Sequence, residues 1–241
     1  EHFPDSPLVF SALYSQWVLC VIRAQIAQAR IFAEKLLKLS NQQSELAPKI
    51  MGNRLLGISM LYQGELEKSI PYVDKSISLY DPEKHAVLAF QYGQNPLCAT
   101  LAHKAWLNQL LGNVELSRQF GKQTVEYARE INHANTIAYA YVYGMILPGI
   151  CRRDVPLVKQ AAQSLLETAN EHNLPMWLGS AHSYRGWAMY HGGNREAGVV
   201  ETRRGLDMYF GGGARLDQLL PLAMLAEYEV SSGNYDAGLQ I

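Results

Sequence analysis

Arg185-Gly186-Trp187-Ala188-Met189-Tyr190-His191-Gly192-Gly193-Asn194-Arg195-Glu196-Ala197-Gly198 is the stretch that decides the fold. Its turn, Gly193-Asn194-Arg195, interrupts an otherwise helical apolar pattern. Glycine at such a place supplies the backbone freedom that ends one helix and lets the next fold back. Gly186 stands seven positions before Gly193, Gly198 five after it, and Gly205 seven further on. Small residues at those offsets let two antiparallel helices approach closely, so the spacing records a helix crossing.

The same pattern recurs along the chain. Gln63-Gly64-Glu65, Leu111-Gly112-Asn113 and Gly233-Asn234-Tyr235 are turns of the same kind; Gly57, Ala105 and Ala226 lie seven before their glycines, and Ser69, Ser117 and Gly238 five after. Ala24 lies 40 before Gly64 and Ala29 lies 40 before Ser69, which places a degenerate first turn in Arg23-Ala24-Gln25. Gly112 and Gly193 are 81 apart, two periods, and the midpoint falls on Arg152-Arg153-Asp154, a fourth turn without its glycine. A fixed period of this size marks a stack of similar units. Six hairpins fit, with turns near residues 24, 64, 112, 153, 193 and 233 and a period near 40. The longer step between the second and third turns leaves an insert of about eight residues, which Pro82, Gly93 and Pro96 place between Tyr80 and Pro96. Apolar residues recur at three and four, as in Leu36, Leu37, Ile70, Val73 and Ile77, and strand-like alternation is absent. The expected fold is all-α: an α-α superhelix, one repeat domain over residues 1–241.

Small residue, turn glycine and small residue at fixed offsets resemble the tetratricopeptide (TPR) repeat, with a period near 40 in place of 34. Two segments narrow the resemblance: Leu79-Tyr80-Asp81-Pro82-Glu83-Lys84-His85 running to Phe90-Gln91-Tyr92-Gly93-Gln94-Asn95-Pro96, and Leu174-Pro175-Met176-Trp177-Leu178 running to Arg185-Gly186-Trp187-Ala188. They are similar to the C-terminal TPR region of bacterial signalling proteins that carry a class III adenylate/guanylate cyclase domain and an AAA/STAND-type ATPase. Asn95 stands where that family usually has Asp, and Asn108-Gln109 replaces a more apolar pair. The resemblance implies a regulatory or protein-binding region whose parent carries the chemistry elsewhere. The chain begins with Glu1 and stops at Ile241 shortly after a helix-start signal, and it reads as a fragment of a longer protein.

Composition agrees with a packed, weakly charged domain. Hydrophobic residues make up 48% of the chain and charged ones 18%, and the 21 basic and 22 acidic residues leave a formal charge of -1. Nothing in such a balance steers the chain toward nucleic acid or an acidic membrane, both of which favour a basic face. Cys20, Cys98 and Cys151 are scattered and odd in number, which fits neither a disulfide framework nor a metal site, and points to a reducing cytoplasm. The most apolar stretch, Ile137 to Ile150, is broken by Gly144 and Pro148 and is too short to span a bilayer.

The remaining chemistry-bearing residues have plainer readings. His182 and His191 fall on opposite helix faces, and no His-x-x-x-His or His-Glu-x-x-His spacing occurs, so no metal is expected. Gly211-Gly212-Gly213 suits a phosphate cradle less well than a link between hairpins. Asp154 and Asp217 suit helix starts. Neither a phosphate loop nor a Gly-x-Ser-x-Gly nucleophile elbow is present, so the fragment is expected to be no enzyme and to need no cofactor.

What remains is the concave face. In a TPR superhelix the first helix of each hairpin lines it. Counting back from each turn names Arg54, Trp106, Gln109, Trp187, Tyr190 and Glu227, with Tyr139 and Tyr143 in the fourth hairpin. Large aromatics there suit partner anchoring or packing between repeats, and both readings stand for Trp187; Trp17 is read as packing. In the insert, His85, Tyr92, Gln94 and Asn95 are loop candidates. The leading expectation is a regulatory module that holds a peptide, a protein or another domain of its parent. The alternatives are a homodimerisation scaffold and a small-ligand sensor.

Overall fold

The computed structural model describes residues 7–210 and 215–241, so Gly211-Gly212-Gly213 and the side chain of Asp217 lie outside the described residues. Regular structure among the described residues is entirely helical and forms an all-α superhelix of six hairpins. The hairpins pair α1 (Pro7–Ile22) with α2 (Ile26–Asn41), and α3 (Leu46–Tyr62) with α4 (Leu66–Leu79). They continue with α7 (Pro96–Leu110) and α8 (Val114–Ile131), then α12 (Pro175–His191) and α13 (Arg195–Phe210), and last α14 (Arg215–Ser231) and α15 (Tyr235–Gln240). Short helices α5 (Pro82–His85) and α6 (Leu88–Tyr92) form the insert. In the fourth hairpin, α9 (Ala134–Tyr139) runs through a π-helical stretch (Ala140–Ile146) into α10 (Leu147–Cys151), and this arm pairs with α11 (Val155–Glu171).

One backbone device closes all six hairpins. Ala24, Gly64, Gly112, Arg153, Gly193 and Gly233 are left-handed, with φ of 58°, 77°, 81°, 54°, 100° and 84°. The residue after each returns its N–H to a carbonyl five positions back: Gln25 to Cys20, Glu65 to Met60, Asn113 to Asn108, Asp154 to Gly149, Asn194 to Met189 and Asn234 to Glu229, all at 2.8–2.9 Å. This pairing satisfies carbonyls that a helix C-terminus leaves open. Ala24 and Arg153 adopt the conformation without being glycine, at a cost of about 1–2 kcal/mol each.

First and second helices differ in how they bury residues. α8 buries a stripe, Ser117, Gly121, Thr124, Val125 and Ala128, and turns its other face outward. α3 is enclosed on every side from Ile50 to Leu61. α12 and α13 also cross closely, and a Cβ on Gly186 would stand 2.5 Å from the Thr202 backbone nitrogen and 2.7 Å from the Gly198 carbonyl oxygen. Glu201 adds a polar fastener there, accepting from His182 Nδ1 at 2.6 Å and from Arg185 Nε at 2.8 Å.

The π-helical stretch has a local cause. Pro148 has no N–H to give to Gly144, and in a regular α-helix its ring would press on that carbonyl. Widening the preceding turn relieves the clash, while Gly144 and Gly121 let α8 cross there backbone to backbone. Apolar packing falls into two clusters, one from hairpins one and two with Leu88 and Tyr92 of the insert, the other from hairpins three to six. Tyr62 packs against both.

Candidate functional site

The superhelix nearly closes on itself, because α14 returns to touch α1. Two adjoining chambers, each open to solvent on one side, lie along its inner face. The first, about 190 Å³, is walled by Tyr14, Trp17, Val18, Val21 and Ile22 of α1, Tyr62 of α3, Tyr92, Gly93 and Gln94 of the insert, Asn135, Tyr139 and Tyr143 of the fourth hairpin, Met176 and Trp177 of α12, and Leu216 of α14. The second, about 220 Å³, is walled by Trp106, Leu147, Tyr184, Leu219 and Leu220. Tyr62, Tyr143 and Leu216 belong to both walls and form the partition.

Aromatic rings brace one another around the partition. Tyr143 stacks on His103 at 4.7 Å between centroids with the planes 20° apart, and Tyr62 meets both His103 and Trp106 edge-on at 5.8 Å. Tyr139 lies 4.5 Å from Tyr143 and meets Trp177 edge-on at 6.0 Å. Offset and edge-on pairs are the favoured arrangements of ring quadrupoles, so the rings support one another in these positions.

Polar tips on the wall are mostly engaged with the protein itself. Trp17 Nε1 donates to Ser59 Oγ at 2.9 Å, and Tyr14 Oη to the Tyr92 carbonyl at 2.8 Å. Trp177 Nε1 donates to Asn135 Oδ1 at 2.5 Å, and Asn135 Nδ2 to the Gly93 carbonyl at 2.6 Å. His103, wholly enclosed behind the partition, anchors two more. Burial, helped by the charge of Arg54, holds its pKa down at about 3. The ring is therefore neutral, with Nδ1–H donating to the Ala99 carbonyl at 2.9 Å and Nε2 accepting from Tyr62 Oη at 3.3 Å. Tyr139 Oη lies 3.3 Å from the same ring. Gln94 Oε1 differs: it is buried at the wall and has no partner.

The sequence candidates divide into two groups. Trp106, Tyr139, Tyr143, Tyr92 and Gln94 meet on the chamber walls. The others sit in structural roles. Arg54 is 0% exposed, and its Nε and Nη2 have no partner. Gln109 accepts from Arg152 Nη1 at 2.7 Å, and Glu227 from Arg153 Nη2 at 2.8 Å. Trp187 is 2% exposed and packs on His191 at 4.5 Å, while Tyr190 stacks on Tyr228 at 3.8 Å. His85 accepts from the Asp81 N–H through Nδ1 at 2.9 Å. Asn95 caps α7 by accepting from the Cys98 N–H, donates Nδ2 to Tyr80 Oη at 2.7 Å and gives its own N–H to Thr136 Oγ1 at 2.9 Å, which ties three hairpins together.

Counting from the turns misses Tyr14, Tyr62, Trp177 and Leu216. Tyr62 sits two residues before Gly64, on the last turn of its helix, where a per-helix count stops short. Trp17 serves both packing and wall, since its N–H is held by Ser59 while its ring borders the first chamber.

No family model and no curated protein matches the chain. Among solved structures, the apo form of RapI superposes with a TM-score of 0.53 at 12% sequence identity, covering 96% of this chain and 74% of that one. At that identity the likeness concerns the fold: this chain is an all-α helical-repeat superhelix similar to that of RapI.

Proposed function

We propose that this chain is a regulatory protein-interaction module that seats a segment of a partner polypeptide in the interior of its superhelix. The observation that carries the reading is the pair of aromatic chambers on the inner face, with most wall polar groups already bonded to the protein, so that ring faces and aliphatic side chains are what a visitor meets. Concave inner surfaces are where helical-repeat stacks bind extended partners. The resemblance to the TPR region of cyclase and ATPase signalling proteins supports a regulatory setting: one repeat domain of a larger bacterial protein, working in the cytoplasm and carrying no chemistry of its own. The partner segment then belongs to another protein or to another domain of the parent.

A peptide-display selection against the chain tests this. Enriched peptides are expected to lose at least tenfold in affinity when Tyr62 and Tyr143 are both replaced by Ala, with the helical circular-dichroism signal retained. Absence of enrichment, or binding indifferent to that double replacement, overturns the reading.

Self-association has one observation of its own. Val230, Tyr235 and Leu239 are exposed on the sixth hairpin, and no described residue of α15 is buried. Sedimentation showing a dimer that Leu239→Glu dissolves supports it; a monomer at high concentration removes it.

A further inference from the structure

A third cavity lies apart from the chambers, between α8 and α11, the second helices of the third and fourth hairpins. Its volume is about 200 Å³, and no described residue lines both it and a chamber. Tyr141 and Met145 border it from the π-helical stretch, a form of helix often found at functional sites.

One end of the cleft is apolar. Val125 and Ala161 are buried there and Met145 is half-buried. An apolar cavity of about 150 Å³ holds benzene, so about 200 Å³ takes a ring with a short side chain.

The other end carries charge. Lys122, Glu126 and Arg129 stand on the α8 wall, and Lys122 and Glu126 lie 3.7 Å apart, so those two answer each other. Arg129 pairs with no carboxylate among the described residues. Its hydrogen-bond partner is Tyr141 Oη, to which Nη2 donates at 2.5 Å, and its guanidinium lies 5.8 Å from the centre of the Tyr141 ring. Tyr141 is only 5% exposed, so the exposed arginine is held against a fixed group. Because Oη accepts from the guanidinium, the phenol proton is left to give, and no described residue accepts it.

Two donors 2.5 Å apart, one of them cationic, thus stand beside an apolar cleft without an acceptor between them. A carboxylate oxygen placed there takes a charge-assisted bond from the guanidinium and the phenol proton as well. An ammonium group meets the repulsion of Arg129 instead, and a neutral alcohol gains only an ordinary hydrogen bond.

We propose that this cleft is a binding site, separate from the chambers, for a small organic monocarboxylate. The apolar body rests on Val125, Met145 and Ala161, and the carboxylate is held by Arg129 and the Tyr141 hydroxyl. The acid is either a free metabolite or the C-terminal carboxylate of a peptide ending in an apolar residue, since both present the same chemistry.

Titrating the whole chain with phenylacetate, 2-phenylethanol, phenethylamine and acetate, followed by ligand-observed NMR, tests this. Phenylacetate is expected to bind about tenfold tighter than the alcohol, which lacks the charge, and than acetate, which lacks the body. Arg129→Gln is expected to remove the advantage of the acid over the alcohol. Tyr141→Phe keeps the ring and is expected to weaken the acid about three- to tenfold, as for one lost hydrogen bond. The Tyr62→Ala and Tyr143→Ala double variant is expected to leave phenylacetate binding unchanged, which separates this site from the chambers. N-acetyl-Gly-Phe with a free C-terminus, set beside phenylacetate, distinguishes the sources: tighter binding of the peptide assigns a chain end, tighter binding of phenylacetate a free acid. Amine binding as tightly as the acid, indifference to Arg129→Gln, loss of binding in the chamber variant, or no saturable binding of either acid overturns the proposal. None of these outcomes bears on whether the chambers seat a partner segment.

Discussion

Arg54 is the residue most at odds with its surroundings: a guanidinium with no exposure, two nitrogens without partners and, among the described residues, no salt-bridged carboxylate. Replacing a buried ion pair by apolar side chains of similar size is often neutral or stabilising by about 1–4 kcal/mol, and an unpaired guanidinium lacks even the partner's attraction. Arg54→Met is expected to raise the unfolding free energy by about 2 kcal/mol, read from the urea midpoint at constant slope; a loss of stability would show that the charge is compensated in solution. His103 gives a pH signature. It titrates near 6.5 in an unfolded chain and at about 3 when folded. Between those values the unfolded chain takes up a proton that the folded chain refuses. Its contribution is therefore full above about pH 6.5 and declines as the pH falls toward 3, by at most about 1.4 kcal/mol per pH unit. Urea midpoints from pH 7 to pH 4 should fall more steeply for the wild type than for His103→Gln, since the other depressed histidines, His133 and His191, are common to both. Position counting names Tyr139 and Tyr143, which stand on the wall. It says nothing of the sealing of Arg54, because burial of an inward-facing residue depends on packing from distant parts of the chain.

At the scale of elements, the small residues that mark the period also mark close helix contacts. A methyl on Gly186 would collide with the backbone of α13, which has no flexible side-chain end to move aside. Gly186→Ala is expected to cost about 3 kcal/mol, seen as a lower thermal midpoint; a cost under about 1 kcal/mol would mean that α12 and α13 can part without penalty. The turns were legible because the left-handed residue and the five-back hydrogen bond need a flexible residue at one place. Where the chain lacks glycine, at Ala24 and Arg153, position in the period still located the turn. The π-helical stretch was not legible. Gly144 and Pro148 are visible as breaks, but whether a break becomes a kink or a widened turn is decided by the crossing of α8. The insert was legible from its prolines and Gly93. The fastening work of Asn95 was not, since Thr136 lies 41 residues away from it.

For the whole molecule, the period reveals six stacked hairpins because each unit buries its face against its neighbours. Closure is another matter. Whether α14 meets α1 depends on small rotations accumulated over every repeat, and Leu216 joins the chamber walls only through that accumulation. Leu216→Asp places a carboxylate on the partition and is expected to weaken capture of the display-selected peptides at least tenfold, with the fold unaltered by circular dichroism. Unchanged affinity would mean that the sixth hairpin only borders the site. The open side of the chambers has a kinetic consequence. Met176 and Leu219 leave the pocket walls open to solvent, so entry asks no parting of the seam between α1 and α14, and a cross-link between the two helices should leave arrival and departure rates where they were. Residence time is then set by the contacts a visitor makes with the walls, and the seam serves to hold those walls in place.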